Sequence, residues 1–172
     1  MTASHIEEHS SEFHEPHWMR EMRVKSFEFL LQRGIPDFKK CKIPEIPFQN
    51  LSFQFSKKMP KEIPIKKNPP KGSSGKIVME DERVRSTALA PEYLEQGVVI
   101  LPFTSALLER ADLLEVYLSS LSSKHFYSAL SDAFFENGYL MYVPEGVQIE
   151  EPFQIEVTQK SSEVQFSQCV II

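Results

Sequence analysis

The chain has 172 residues, 41% of them hydrophobic, with 13 Phe and a formal net charge of −5, which is enough for one real core with an unusually aromatic filling. No run approaches the roughly 18 apolar residues of a membrane span, and the opening residues hold neither the basic start nor the apolar stretch of a secretion signal, so neither membrane insertion nor secretion is expected. The two cysteines, Cys41 in a lysine- and proline-rich loop and Cys169 in an apolar strand, have no metal or redox spacing and read as thiols of a reducing, cytoplasmic compartment.

Residues 1–15 read as a disordered, acidic, histidine-rich leader. Within it His5-Ile-Glu-Glu-His9 fits the H-x-x-E-H pattern of inverted zinc peptidases, in which two histidines one helical turn apart share a metal and Glu8 would be the general base. His14 and His17 follow closely. The pattern starts where chains fray, and no downstream segment offers a third ligand, so no catalytic residue and no metal ligand is assigned.

Residues 16–35 predict an amphipathic helix, with Pro16 in its first turn, Trp18, Met22, Phe29 and Leu30 near one face interrupted only by Ser26, and a stop at Gly34 and Pro36. That stripe must be buried on the chain's own core or in a partner's groove. From 36 to 76 the pattern changes to a Pro/Lys-rich linker. Ten lysines face only Glu45 and Glu62 from Lys39 to Lys76, with Pro44, Pro47, Pro60, Pro64, Pro69 and Pro70 among them. Such a segment is expected to be extended and solvated. Only Phe48, Phe53 and Phe55 could stack bases, too few to read the segment as a nucleic-acid arm. Gly72-Ser-Ser-Gly75-Lys76 lacks the preceding strand and following helix of a phosphate-binding loop.

Residues 77–138 predict a strand pair and helices: strands at Ile77–Val84 and Gly97–Ile100, then a helix capped by Thr104 with Leu107, Ala111, Leu114 and Leu118 facing the strands. Ser119, Ser120, Ser122 and Ser123 lie near His125 but without an orienting acid, and read as a polar loop between helices. Phe126, Leu130, Ala133 and Phe134 then give a second helical face, stopped by Asn137-Gly138 and expected to dock on the strand Tyr139–Val143.

Residues 139–172 read as the start of a β-solenoid. Pro144 and Gly146 make a turn, and an extended run from Gln148 to Thr158 is broken by Pro152. Glu145, Glu150 and Glu151 read as the polar rim of that turn rather than as paired catalytic carboxylates. The last strand turns wholly apolar, and leaving Val170, Ile171 and Ile172 in water forgoes roughly 1.5–3 kcal/mol each. The chain is therefore expected to be incomplete or to borrow a partner's edge, including a homodimer through the open β edge.

Ala129, Leu130, Ala133, Phe134, Phe135 and Gly138, followed by Val143, Pro144, Gly146, Val147 and Pro152, form an ALxxAFFxxG helix end leading into VPxGVxxxxP. This arrangement resembles the entry to the core domain of the SufB/SufD family of iron-sulfur cluster assembly proteins. Two upstream stretches, Leu30–Pro36 and Ile77–Val84 with the strand and helix after it, are similar to the SufD branch rather than SufB, so the resemblance covers most of residues 20 to 155 with gaps. The chain departs from that branch at Lys39–Phe48, which lacks a Trp, and at Asp81-Glu82, which replaces a turn glycine.

The resemblance implies an α+β fold, an N-terminal helical region followed by the first strands of a right-handed β-helix that is incomplete here. It implies a non-catalytic SufD-like component of a SufBCD scaffold rather than an enzyme, with SufB-like and SufC-like (ATPase) partners, and an iron-sulfur cluster carried only transiently in the full complex. The family's cluster-site and SufC-binding segments lie in later parts with no counterpart here, so no cofactor-binding residue is carried over. The alternative is a self-contained β-rich module binding a ligand or a partner, such as a small cupin-like barrel, which would need histidines and carboxylates clustered on strands.

Overall fold

A helix begins where the residue pattern predicts a disordered leader. The computed structural model describes residues 3–33, 64–81, 83–119, 125–161 and 166–172. In chain order its elements are α1 (Ala3–Glu12), α2 (His17–Arg33), β1 (Ile65–Lys66), β2 (Gly75–Glu80), β3 (Arg83–Leu89), α3 (Pro91–Glu95), β4 (Val99–Pro102), α4 (Phe103–Glu109), α5 (Ala111–Ser119), α6 (Phe126–Phe134), β5 (Asn137–Tyr142), β6 (Phe153–Thr158) and β7 (Ser167–Ile171). Two units are distinct: Met1–Lys57 with Glu115–Phe134, and Lys58–Leu114 with Phe135–Ile172.

In the helical unit α2 packs against α1 and α6. Its buried residues are Met19, Met22, Arg23, Ser26, Phe27 and Leu30, a three-and-four spacing that defines one face. The expected face is therefore rotated. Ser26, expected to interrupt it, is buried within it, while Trp18 and Phe29 are only half-buried flanks. Phe27 meets Phe134 of α6 edge to face, with ring centroids 6.0 Å apart, the favoured arrangement for two ring quadrupoles. The α6 face expected on the first strand thus packs on α2. The helix α1 is anchored by fully buried Ile6 and by a polar network described below. One apolar residue in a run of His, Glu and Ser gives no periodicity, which is why the pattern reads as leader.

The second unit holds two open sheets, ordered β1-β3-β2-β6 and β4-β5-β7. Among the described residues the strands close no barrel, contrary to what a self-contained cupin-like module would require. The hairpin β2–β3 is antiparallel, whereas β2 with β6 and β5 with β7 are parallel. Asp81 takes the position of the missing turn glycine with φ +48°, the left-handed conformation that Asp tolerates better than most residues. Its Oδ1 accepts from the amides of Lys160 and Ser161 at 2.7 and 2.8 Å, fastening the hairpin tip to the end of β6. One core cluster runs between the sheets: Ile77, Met79, Val84 and Leu89 from one, Ile100, Tyr139 and Met141 from the other, with Tyr93 of α3.

Three further expectations change. Residues 34–63 of the expected linker lie outside the described residues, but Ile65-Lys66 pairs with Thr87-Ala88, and Ser73 and Ser74 are buried, so its C-terminal part belongs to the sheet. Ser74 Oγ donates to the Glu151 carbonyl at 2.7 Å and its amide to that of Pro152, which satisfies backbone that proline-rich sequence leaves free. The single helix expected from Thr104 is two, broken at Arg110 (φ −139°, ψ 41°), and Pro102 rather than Thr104 occupies the N-cap. No glycine or proline marks that break. Arg110 holds its guanidinium over the Tyr142 ring, 5.2 Å from the centroid, a local attraction that helical continuation would compete with.

Finally, Gly138 is not a helix stop. It sits in β5 with φ +144°, opposite Gln168 of β7, and a Cβ there would fall 1.8 Å from the Gln168 carbonyl oxygen. The glycine lets the two backbones approach. Gly146, φ +83°, does serve the turn as expected; the hydrogen bond runs from the Val147 amide to the Pro144 carbonyl, so Pro144 opens the turn rather than occupying its first corner.

Candidate functional site

Two places in the molecule depart from an ordinary apolar core, one in each unit. In the helical unit Arg23 lies on the buried face of α2 with 1% of its surface exposed, and such a charge is tolerated only when paired. Glu15, in the α1–α2 corner, supplies the counter-charge through a two-pronged contact, Nε to Oε2 at 2.9 Å and Nη2 to Oε1 at 2.8 Å. Ser10 donates to Oε2 at 2.8 Å, and Nη1 donates to the carbonyl of Ala133, near the C-terminal end of α6 where a cation is favoured. One guanidinium thus fastens α1, α2 and α6. Burial works to raise the Glu15 carboxyl, but the charge and hydrogen bonds of Arg23 hold it below its usual value.

His9 belongs to this network. Its ring stacks on Phe13 at 4.5 Å, and burial together with the Arg23 charge lowers its pKa to about 4. His5 and Glu8, the other members of the H-x-x-E-H pattern, are exposed on the same helix, with Ser4 donating to Glu8 at 3.4 Å. A buried imidazole beside a fixed guanidinium is a poor ligand for a dication. Among the described residues no group of three or more His, Cys, Asp or Glu side chains is placed to hold a metal. The network is a structural clamp. Sequence reasoning missed it because its partners lie on different helices; the one available signal was a charged residue within the Met19, Met22, Ser26, Phe27 face.

The other sequence candidates separate. His125 is exposed ahead of α6; Ser119 donates to the Glu115 carbonyl one turn earlier; Ser120, Ser122 and Ser123 lie outside the described residues, as does Cys41. Glu145, Glu150 and Glu151 are all exposed at the turn. Gly75-Lys76 opens β2 rather than a helix, and Lys76 pairs with Glu156 at 2.6 Å.

The second place is the open end of the two-sheet core. The parallel register puts Phe153, Ile155 and Val157 of β6 on the same face as Gly75, Ile77 and Met79 of β2, and Cys169 and Ile171 of β7 on the face of Tyr139 and Met141 of β5. Ile77, Met79, Tyr139 and Met141 all belong to the one core cluster. That core therefore runs on past its last covered layer. Ile155, Val157 and Ile171 are 46%, 65% and 61% exposed although each continues a fully buried row.

At this rim Cys169 is exposed as a residue, yet its thiol lies against Tyr139. Burial pushes the thiol up, only partly offset by the hydrogen bond from the Tyr139 hydroxyl, and Tyr139 is itself pushed well above the usual phenol range by burial and by Cys169. The rim offers backbone donors, acceptors and an apolar strip, which is what an added strand needs.

Comparison with known proteins follows this architecture. The chain matches the SufBD protein N-terminal region over residues 3–155. It is 24% identical to the iron-sulfur cluster assembly protein SufD of Bacillus subtilis over 98% of this chain and 41% of that protein. It is 25% identical to SufB of the same organism over 100% of this chain and 41% of that protein. A SufBD family protein of Synechocystis is 22% identical over 80% of this chain and 33% of its own length. The chain thus spans about two-fifths or less of the length of these relatives. Among the described residues no helix is long and apolar enough to cross a membrane.

Proposed function

Because the chain belongs to the SufBD family of iron-sulfur cluster assembly proteins, we propose that it is a SufD-like, non-catalytic component of a SufBCD-type assembly scaffold. The observation that carries this reading is the family match over residues 3–155, which includes both the helical unit and the strand, turn and strand that open the sheets. The SufD-like assignment rests on Leu30–Pro36 and Ile77–Val84, since the identities to SufD and SufB are nearly equal.

In this reading residues 139–172 open a right-handed β-helix. Asn137 of β5 pairs in parallel with Ser167 of β7, thirty positions on, with the Pro144–Val147 turn and β6 between them, the return path of a coil. Parallel crossovers of this kind are right-handed in nearly all proteins. The chain's own residues supply scaffold: the Arg23 clamp fixes the helices and the two sheets present open edges. The cluster is cargo of the complete assembly in the cytosol, handled with a SufB-like partner and a SufC-like ATPase.

The test is co-purification. A tagged copy co-produced with SufB and SufC from the same source is expected to retain SufB or SufC. Recovery of neither protein would overturn the reading.

A further inference from the structure

We propose that α4 and α5 are two halves of one helix, folded at Arg110 by its contact with Tyr142, and that this corner opens into a continuous helix when the contact is released.

Nothing in the local sequence requires a corner. Leu107-Leu-Glu-Arg-Ala-Asp-Leu-Leu114 holds no Gly, Pro or β-branched residue, and Leu, Glu, Arg and Ala are among the strongest helix formers. Sharp helix breaks normally have Pro, Gly or an inserted group as their cause. The Arg110 amide still donates to the Ala106 carbonyl at 2.8 Å, as in a helix, but Leu113 donates to the Arg110 carbonyl at 3.2 Å, a bond that a continuous helix would run to Glu109.

The cause lies in one side chain. In a single helix Phe103, Leu107, Arg110, Leu114 and Leu118 would recur at four, three, four and four, one face. Phe103, Leu114 and Leu118 are fully buried, so continuity would carry the Arg110 guanidinium into the middle of an apolar stripe, a place such a charge avoids. The break takes it out of that row. It lies instead over the Tyr142 ring, 5.2 Å from the centroid, with Nε 3.4 Å from Asp112 and 31% of the side chain still exposed. Asp112 favours the corner as well, since its carboxylate then sits in the first turn of α5 rather than in a helix interior.

Backbone continuity and the placement of one charge therefore oppose each other at a single residue, and the balance between them makes a two-state element. Tyr142 ends β5, which ties the corner to the seating of that strand. Loosening β5 and opening the corner favour each other.

The experiment follows Cα chemical shifts and amide exchange of residues 107–114 by NMR in the full chain. Arg110→Leu completes the apolar stripe and is expected to give helical shifts through position 110 and to slow exchange of the Ala111, Asp112 and Leu113 amides at least about tenfold. Tyr142→Leu, which removes the ring and leaves the charge, is expected to move the same shifts partway. Tyr142→Phe keeps the ring and is expected to leave them unchanged. A folded Arg110→Leu variant that retains the break, or equal responses to Tyr142→Leu and Tyr142→Phe, would overturn the proposal. If Arg110→Leu does not fold, the two Tyr142 variants decide it on their own.

Discussion

Arg23 and Ile155 each sit where a unit must hold its elements together, and their surroundings are opposite. Arg23 is a charge taken almost wholly out of water and satisfied by Glu15 and the Ala133 carbonyl within its own unit. Ile155 is an apolar side chain on the same face as buried Ile77, left nearly half exposed. The helical unit therefore sets one directional charged contact beside an apolar helix face, whereas the sheet unit is held by non-directional burial and leaves part of an apolar row exposed among its described residues. Removing one partner of a buried charged contact therefore costs more than trimming a half-exposed apolar side chain.

Breaking the clamp should have the largest effect. Arg23→Met leaves the Glu15 carboxylate buried without its counter-charge and is expected to cost about 3–5 kcal/mol by chemical denaturation. Adding Glu15→Gln should recover a good part of that, because a neutral amide needs no counter-charge. If the double variant is as unstable as the single, the guanidinium acts through packing alone.

Next in size is Gly138→Ala. A methyl group there meets the Gln168 backbone and requires a left-handed strand residue, so a loss of about 1–3 kcal/mol is expected, with hydrogen exchange rising first in β7. Protection of β7 equal to that of the unaltered chain would show that the approach at Gly138 is relaxed in solution.

These two residues also show what the sequence could and could not reveal. The turn at Pro144 to Gly146, the β2–β3 hairpin and the helical spacing of α2 are local, and local chemistry specifies them. Gly138 was misread because its neighbour lies thirty positions on, and the α1 helix was missed because it is held by one buried residue, Ile6, and by the contact of Ser10 with Glu15, which Arg23 of the next helix fixes. The break at Arg110 has no residue signature, since Tyr142 supplies its contact from another element. The exposed rim was legible as an apolar terminal strand, but that it continues the Ile77 row became visible only with the register of β6.

The pH response separates the two units further. His9, lowered from 6.5 to about 4 by burial and Arg23, stays neutral when folded where the unfolded chain takes up a proton. Its contribution is therefore complete above about pH 6.5 and is lost as pH falls towards 4. Glu15, held below 4.5, adds stability that is lost at lower pH still, through its folded value. Together they predict acid destabilisation of the helical unit, about 1–2 kcal/mol from His9 because the ring keeps some access to solvent. His9→Gln should flatten the slope between pH 6.5 and 4 in thermal unfolding; an unchanged slope would place the acid sensitivity elsewhere.

The smallest expected effect bears most directly on the open core. Ile77 and Ile155 are the same residue type, paired in register on adjacent strands and pointing to one face. Ile77→Ala should cost about 2–5 kcal/mol, since it empties a filled core position. Ile155→Ala should cost no more than about 1 kcal/mol when unfolding is followed at high dilution, because nearly half of the side chain already faces water. Repeating the Ile155→Ala measurement at rising protein concentration sharpens the contrast: a penalty that grows towards that of Ile77→Ala is the signature of a rim that becomes covered, and a penalty that stays small at every concentration means that the row ends in solvent.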